Sequence, residues 1–529
     1  MSLRIIRLLV LWSGSLVVPF TVSYAQEPEK RPDQATADRY HNPILPGDFQ
    51  NTDVIRVGTT YYYISATKEL SPGMLIMASK DLVNWKPIGH AVNDLTQIHP
   101  RYNYDRMEGN SRGIWAGSIR HHHNRFYVYF TDPDYGLFVT TATRPEGPWS
   151  KLTPVKKEAG WDDPCPFWDD NGQTYLVMTH FADAYKIRLF RMSRDGKALL
   201  DTGTVLYQGK GSEASKLYKI NGYYYHFYSE VTPEGRIPFM ARARTIQGPY
   251  TERRQLIHKA EGEPNQGGLV QTTGGSWYFV THHGNAYWCG REASLLPVVW
   301  QDGWPLWGKP GTDGIGNMVW SAEKPRQSGP IDTLLTSDDF TSATLSPQWE
   351  WYFQPRTDKW SLTENPGFLR LYACKPLQPD QITKTTNVLT QRPLRTDKNV
   401  ATVKMAIAHM VTGQAAGLAL FGKTTGRIHV RRSDTGFRFI CDQPAASTAS
   451  ETIDARTRYV WFRASWNKAG EAQFSYSTDG QHFENLGPIY QLTNFGNYLG
   501  AKLGLYTVND TADRGFVDID WFHYHAKRP

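Results

Sequence analysis

Five times over, the chain repeats one short pattern: a strand-like run, a turn built on Gly or Asn, an aromatic-rich strand, a second turn and a run of small and apolar residues. The copies centre on Val57-Gly58-Thr59-Thr60-Tyr61-Tyr62-Tyr63, His122-His123-Asn124-Arg125-Phe126-Tyr127, Asp169-Asp170-Asn171-Gly172-Gln173-Thr174-Tyr175, Lys219-Ile220-Asn221-Gly222-Tyr223-Tyr224-Tyr225 and Thr273-Gly274-Gly275-Ser276-Trp277-Tyr278-Phe279. Their spacing is roughly 50 to 65 residues, near the longer propeller-blade periods. Each unit has enough strand signal for a four-stranded sheet. Such a unit cannot cover its own apolar faces and must pack on its neighbours, so five of them predict a five-bladed β-propeller. Composition agrees with an all-β protein. Aromatic residues make up 13% of the chain within a hydrophobic total of 40%, a balance that suits pleated sheets and sugar-stacking surfaces better than helical bundles.

A length of 529 residues exceeds one ordinary core and predicts two domains. The repeats occupy residues 42–322, and a segment poor in apolar residues, 323–337, reads as a linker. From 338 to 529 the pattern changes to alternating stretches without helical period, such as Phe368-Leu369-Arg370-Leu371-Tyr372 and Val460-Trp461-Phe462-Arg463-Ala464. This is the pattern of a β-sandwich.

The first 25 residues carry Arg4 and Arg7, an apolar run from Leu8 to Val22 and then Ser23-Tyr24-Ala25, the layout of a cleavable signal peptide that sends a protein to the periplasm or out of the cell. The run is too short, and too broken by Ser13, Gly14, Ser15 and Pro19, for a membrane anchor, and no later stretch is suited to spanning a bilayer. Residues 26–41, polar and Pro-containing, read as a flexible leader. Four cysteines leave room for one or two disulfides and no more. The formal net charge of +7 comes without a long basic run or a nucleic-acid motif, so no nucleic-acid partner is expected. His121-His122-His123 and His282-His283 alternate faces on a strand and do not present three ligands together. Oligomeric state is not legible.

Two carboxylate motifs stand out: Trp161-Asp162-Asp163-Pro164-Cys165-Pro166 and Gly211-Ser212-Glu213-Ala214-Ser215-Lys216. Hydrolysis of a glycosidic bond needs carboxyl groups that share one pocket, one of them held protonated near neutral pH and the others ionised. With Asn42-Pro43-Ile44-Leu45-Pro46-Gly47, Ile114-Trp115-Ala116-Gly117, Gly290-Arg291-Glu292 and Asp302-Gly303-Trp304-Pro305, these motifs resemble glycoside hydrolase family 43. Trp349-Glu350-Trp351, Lys359-Trp360-Ser361-Leu362 and Asp518-Ile519-Asp520-Trp521-Phe522 resemble the concanavalin A-like, jelly-roll sandwich of the family's β-xylosidase members. The resemblance covers nearly the whole mature chain. It implies an inverting hydrolase with Glu213 as general acid, Asp163 as the carboxylate that orients the acid and tunes its pKa, and Trp115, Arg291 and Gln266 among the groups that line the sugar site. Asp162 reads as structural. The family often has a His at the Gln266 position, holding a central calcium or its waters. Its replacement argues against a bound metal, and no cofactor is expected.

One position departs from the pattern. The general base of the family is an Asp, and the matching residue here is Asn51, whose amide cannot take a proton from water at neutral pH. Asp53, two residues on and on the same strand face, is one candidate base; the other reading of Asp53 is a blade-stabilising carboxylate bonded to backbone or to Arg56. Alternatively Asn51 holds a water that another group activates, or acts through an unusual tautomer. In the third reading hydrolysis is lost and the protein binds sugars silently. Under the first two, the resemblance implies exo release of a terminal pentose, β-D-xylose or α-L-arabinofuranose, from an oligosaccharide or polysaccharide, with terminal galactose as an alternative.

Overall fold

The alternation of Tyr61, Tyr62 and Tyr63 shows how one blade grips the next. In the computed structural model, which describes residues 38–284, 287–325, 331–496 and 498–527, Tyr61 and Tyr63 of strand Thr60–Ser65 enter a core shared with Val270, Val280 and Leu295 of the last blade. Tyr62 points the other way and meets Phe126 of the second blade edge-on, with 5.3 Å between ring centroids. Opposite faces of one pleated strand thus pack against opposite neighbours.

Five such antiparallel sheets follow in chain order. The first contains Asp53–Val57, Thr60–Ser65, Gly73–Ser79 and Lys86–Val92; the second Gly117–His122, Arg125–Asp132, Gly136–Ala142 and Thr153–Lys156. Trp161–Trp168, Thr174–His180, Lys186–Met192 and Thr204–Gln208 form the third. Glu213–Ile220, Tyr223–Thr232, Gly235–Ala243 and Glu252–Gln255 form the fourth, and Gln266–Gln271, Trp277–His283, Glu292–Gln301 and Trp304–Trp307 the fifth. The turn chemistry is visible at Asn221-Gly222, both at positive φ (50° and 76°), which joins Ile220 to Tyr223 as a two-residue hairpin loop. His123-Asn124 makes the same kind of turn, while His121 packs on Phe126 and His122 stacks on Trp168.

The first strand of each blade is the innermost, and the five of them neighbour one another in a ring. Closure comes from the N-terminal segment. Leu45 bridges Ala293 of the fifth blade, the Asn42 amide donates to the carbonyls of Leu295 and Val319 at 2.9 and 2.8 Å, and Tyr40 donates to Leu295 O. Strand Arg39–His41 pairs with Ser321–Glu323, so the end of the segment read as leader belongs to the fold. One buried Tyr between two exposed residues is too short a pattern to show in a polar stretch. The signal-peptide residues and positions 26–37 lie outside the described residues.

The sandwich has two large sheets with Leu418, Leu420, Val430, Leu503 and Leu505 on one side facing Val403, Met405, Phe462, Ala464 and Ile519 on the other. Its first sheet does not end within the sandwich. The order runs Gln414–Phe421, Lys502–Asn509, Leu389–Gln391, Glu350–Tyr352 and then Leu70–Ser71, a segment of the first blade's hairpin, with Trp351 opposite Ser71 and Tyr352 opposite Leu70. From Arg39 onward the two domains form one compact unit. Buried ion pairs join them: Lys502 with Asp48 at 2.5 Å, Arg395 with Glu292 at 3.0 Å, and Glu350 with both Arg392 (2.8 Å) and His90 (3.2 Å). Arg392 also donates to Asp48 O at 2.8 Å. The four cysteines are buried free thiols, so the bridges for which the sequence left room are not formed. Among the described residues no helix is long and apolar enough to cross a membrane.

Burial pushes the Glu350 carboxyl up, but Arg392 and His90 outweigh it and hold it at about 2 against an ordinary 4.5. A carboxyl whose folded pKa is depressed contributes stability that is full above its unfolded pKa and is lost as pH falls through the folded one. Arg392→Met is therefore expected to cost about 3–5 kcal/mol at pH 7, since it strands a buried charge. The cost should shrink as pH drops from 4.5 towards 2. Urea unfolding at a series of pH values reads both.

Candidate active site

The five inner strands begin at one end of the ring, and the chemistry of this protein sits on those beginnings. Asn51 lies just before Asp53–Val57, Trp115 just before Gly117–His122, Asp163 near the start of Trp161–Trp168, and Glu213 and Gln266 open their own strands. Bulges interrupt the ladders between Asp162 and Cys165 and between Glu213 and Lys216, turning side chains away from the regular pleat. Asn51, Asp163, Ala214 and Lys68 hold φ values of 50°, 54°, 67° and 56°. Left-handed backbone at non-glycine residues is costly and tends to gather where function needs it.

Asp163, 3% exposed, accepts the Ala214 N–H at 2.6 Å through Oδ2 and the Gln266 side-chain amide through Oδ1. It grips the peptide directly after Glu213. The Glu213 side chain is one-third exposed (33%), and its Oε1 lies 3.2 Å from an Arg236 guanidinium nitrogen. Enclosure by protein atoms pushes the Glu213 carboxyl up, Arg236 and Arg291 oppose the shift, and Asp163 adds to it. Asp163 is itself raised by burial, against the pull of the Ala214 N–H, Lys216, Arg236 and Arg291. Asp162 is half-buried, accepts from Thr131 Oγ1 at 2.6 Å, and is pushed well up by burial and by Asp163.

Asn51 is held from three directions. Its N–H donates to His282 Nδ1 at 2.9 Å, its Oδ1 accepts from Arg291 at 2.9 Å, and its backbone is left-handed. Because His282 Nδ1 accepts, its Nε2 carries the proton and donates to Asn265 Oδ1 at 2.9 Å. Burial, with Arg291 and other cations, holds this imidazole neutral. Gln266 turns its amide nitrogen to Asp163, and His282 has both ring nitrogens engaged by protein partners. Gln266 is 4% exposed, and its side-chain amide supports Asp163.

Asp53 has a different job from that of a base. Its Oδ1 accepts from its neighbour Val54 N at 3.0 Å, and its Oδ2 accepts from Ile119 N at 3.2 Å and pairs with Arg120 at 2.5 Å. Arg120 reaches on to Cys165 Sγ at 2.8 Å. With 1% exposure and three donors from the inner strands of blades one and two on its carboxylate, Asp53 fastens blades. The sequence alternative of a backbone-bonded carboxylate is close to this, with Arg120 in place of Arg56.

The walls come from Trp115, Phe181 and Tyr498. Trp115 is half-buried, donates to Ser111 O at 3.0 Å and lies 6.1 Å from the Phe181 ring centroid in stacked orientation. The Lys68 ammonium lies 4.3 Å from the Trp115 ring centroid. Arg291 lies 3.6 Å from the ring centroid of Tyr498, which the sandwich contributes. Lys68, Arg236, His282 and Tyr498 were not singled out from the sequence as parts of a site. Each lies in a hairpin or loop with no local motif, and only the ring closure and the sandwich bring them in.

Residues 40–305 match the model of glycosyl hydrolases family 43, and residues 337–525 match that of the β-xylosidase C-terminal concanavalin A-like domain. The chain belongs to glycosyl hydrolase family 43. A β-xylosidase of Formosa agariphila is 34% identical over 93% of this chain and 91% of its own length. A non-reducing end α-L-arabinofuranosidase of Bacteroides ovatus is 30% identical over 63% of this chain and 64% of its own. The solved structure of a bifunctional GH43-CE protein of Bacteroides eggerthii superposes with a TM-score of 0.80 at 28% identity; the match covers 92% of this chain and spans 64% of that longer one. Within this family fold, Arg236 is the cation that opposes protonation of Glu213. Arg236→Met is expected to move the alkaline limb of kcat/KM to higher pH, because its loss favours the neutral carboxyl. A pH–rate profile on a chromogenic pentoside checks the direction.

Proposed function

We propose that this family 43 hydrolase is an exo-acting, inverting enzyme that removes a terminal β-D-xylose or α-L-arabinofuranose from an oligosaccharide or polysaccharide outside the cytoplasm. The observation that carries the reading is the Asp163–Ala214 hydrogen bond, which fixes the peptide that presents Glu213 and sets a second carboxylate beside it. Glu213, kept towards its neutral form by enclosure and by Asp163, donates its proton to the leaving-group oxygen as the glycosidic bond breaks. Water attacks the anomeric carbon from the opposite face, as inversion requires. The names of the relatives, a xylosidase and an arabinofuranosidase, support the choice of pentose. The signal-like stretch ending at Ala25 supports export.

In this reading Asn51 positions the water. Its Oδ1 is fixed by Arg291 and retains a lone pair to hold the water, but the amide is too weak a base to keep the proton, which passes on to bulk water as the new C–O bond forms. Turnover is then limited at that proton. Glu213→Gln is expected to lower kcat/KM on aryl-free xylo- or arabino-oligosaccharides by roughly 10²- to 10⁴-fold. Asn51→Asp places an ionisable carboxylate in the same Arg291 grip and should raise kcat by roughly 10²-fold. Both are read by sugar release with chromatography of the products. The same Asn51 favours a second reading, a sugar-binding protein without hydrolysis. No release by the natural chain together with release by Asn51→Asp would establish that one.

A further inference from the structure

Lys68 is a buried lysine without a carboxylate at ion-pair distance among the described residues. It is 3% exposed, yet among the described residues its ammonium has no ion-pair or hydrogen-bond partner, only the face of Trp115 at 4.3 Å. Asp162 acts on it at longer range, and the Asp162 oxygen with a short contact is taken by Thr131. Burial, with Arg291 adding to it, brings the Lys68 amine down to about 8 against the pull of Asp162, Glu69 and Asp48. Its position is nonetheless enforced. Lys68 and Ile114 exchange two backbone hydrogen bonds of 3.0 Å, and a Cβ on Gly113 would come within 2.3 Å of Lys68 O, so only glycine lets the two segments approach. The next residue, Glu69, accepts from Ser111 N at 3.0 Å. Leu70–Ser71 then joins the sandwich sheet.

Arg291 repeats the theme. Its partners are the neutral Asn51 amide and the Tyr498 ring, and no carboxylate lies within ion-pair distance of it among the described residues. Only Arg236 has one, Glu213. An ammonium in such a place costs several kcal/mol unless an opposite charge completes it. A neutral pentose brings hydroxyl groups alone.

We propose that the natural substrate carries an anionic group, a sulfate ester or a uronate carboxylate, on or next to the sugar that is cleaved, and that Lys68 is the specificity-determining residue that receives it, with Arg291 adding to the attraction. The proposal rests on the reading of this pocket as the sugar site and narrows its substrate class. Charge-assisted hydrogen bonds to an ammonium in a shielded pocket are the stronger kind.

The test is calorimetric binding to the full mature chain, with ligands that need no turnover: methyl β-D-xyloside, its monosulfate, methyl β-D-glucuronide, and a xylosyl-glucuronate disaccharide with a non-cleavable thio linkage. At least one anionic ligand should bind about tenfold or more tighter than the neutral glycoside, with the preference falling at high salt. Which ligand wins tells sulfate from carboxylate. Lys68→Met should abolish the preference, and Lys68→Arg, which keeps the charge, should retain it. Equal binding of charged and neutral ligands by the natural chain overturns the proposal even if Lys68→Met does not fold, and so does a preference that survives in a folded Lys68→Met. Because binding is scored without hydrolysis, absence of sugar release bears on the catalytic reading alone.

Discussion

The carboxylate of Asp163 joins three blades at one point. It belongs to the inner strand of the third blade, accepts the N–H that follows Glu213 in the fourth, and accepts the amide of Gln266 at the start of the fifth. A propeller whose inner strands only neighbour one another has freedom to breathe along its axis. This contact removes that freedom at the end where proton transfer is to occur. The bulges and left-handed residues at Asp163 and Ala214 follow from the same need, since a regular pleat would send these side chains into the blade packing.

The sandwich is a working part of the same site. Its sheet continues into Leu70–Ser71, which fixes the loop that holds Lys68 and Glu69, and its loop at Tyr498 covers the guanidinium of Arg291. The ionic contacts that hold the two domains together are almost fully buried, with Asp48, Lys502, Glu350 and Arg392 all below a tenth exposed. Such pairs are poor sources of net stability but demand one register. A slip of the sandwich would strand several charges at once, and the pocket inherits that precision.

The repeats made the propeller legible because each copy carries its own local signals, a turn at positive φ and an aromatic strand with period two. Glu213 and Asp163 were legible through short motifs at strand starts. Asp53 was misjudged as a candidate base for a physical reason: residues two apart share a face of a strand, but Asn51 lies in left-handed backbone before the strand begins, so the pleat rule does not relate them. Lys68, Arg236 and Tyr498 had no signal at all. Their roles depend on which loops the ring and the sandwich bring together, and the separations along the chain, from Lys68 to Trp115 or from Arg291 to Tyr498, are not encoded in any local pattern. The hydrogen bond from Gln266 to Asp163 was not legible, since a side chain at a strand start can face the cavity or the neighbouring blade.

The neutral Asn51 and the unpaired cations are two sides of one charge balance. An aspartate at position 51 would carry the charge that Arg291 lacks, and the pocket would then hold a carboxylate for each guanidinium. With an amide there, Arg291 keeps its hydrogen bond but loses its neutralisation, and Lys68 adds a further positive charge a short distance away. Arg236 and Arg291 oppose protonation of Glu213, and burial, with Asp163 pressed against the acid's own peptide, outweighs them. A bound anion would act in the same direction as Asp163. It would cancel the excess positive field, raise the Glu213 pKa and so place the acid in its proton-donating form when the substrate arrives. On this argument the substrate's own charge would join burial and Asp163 in setting the protonation of the acid.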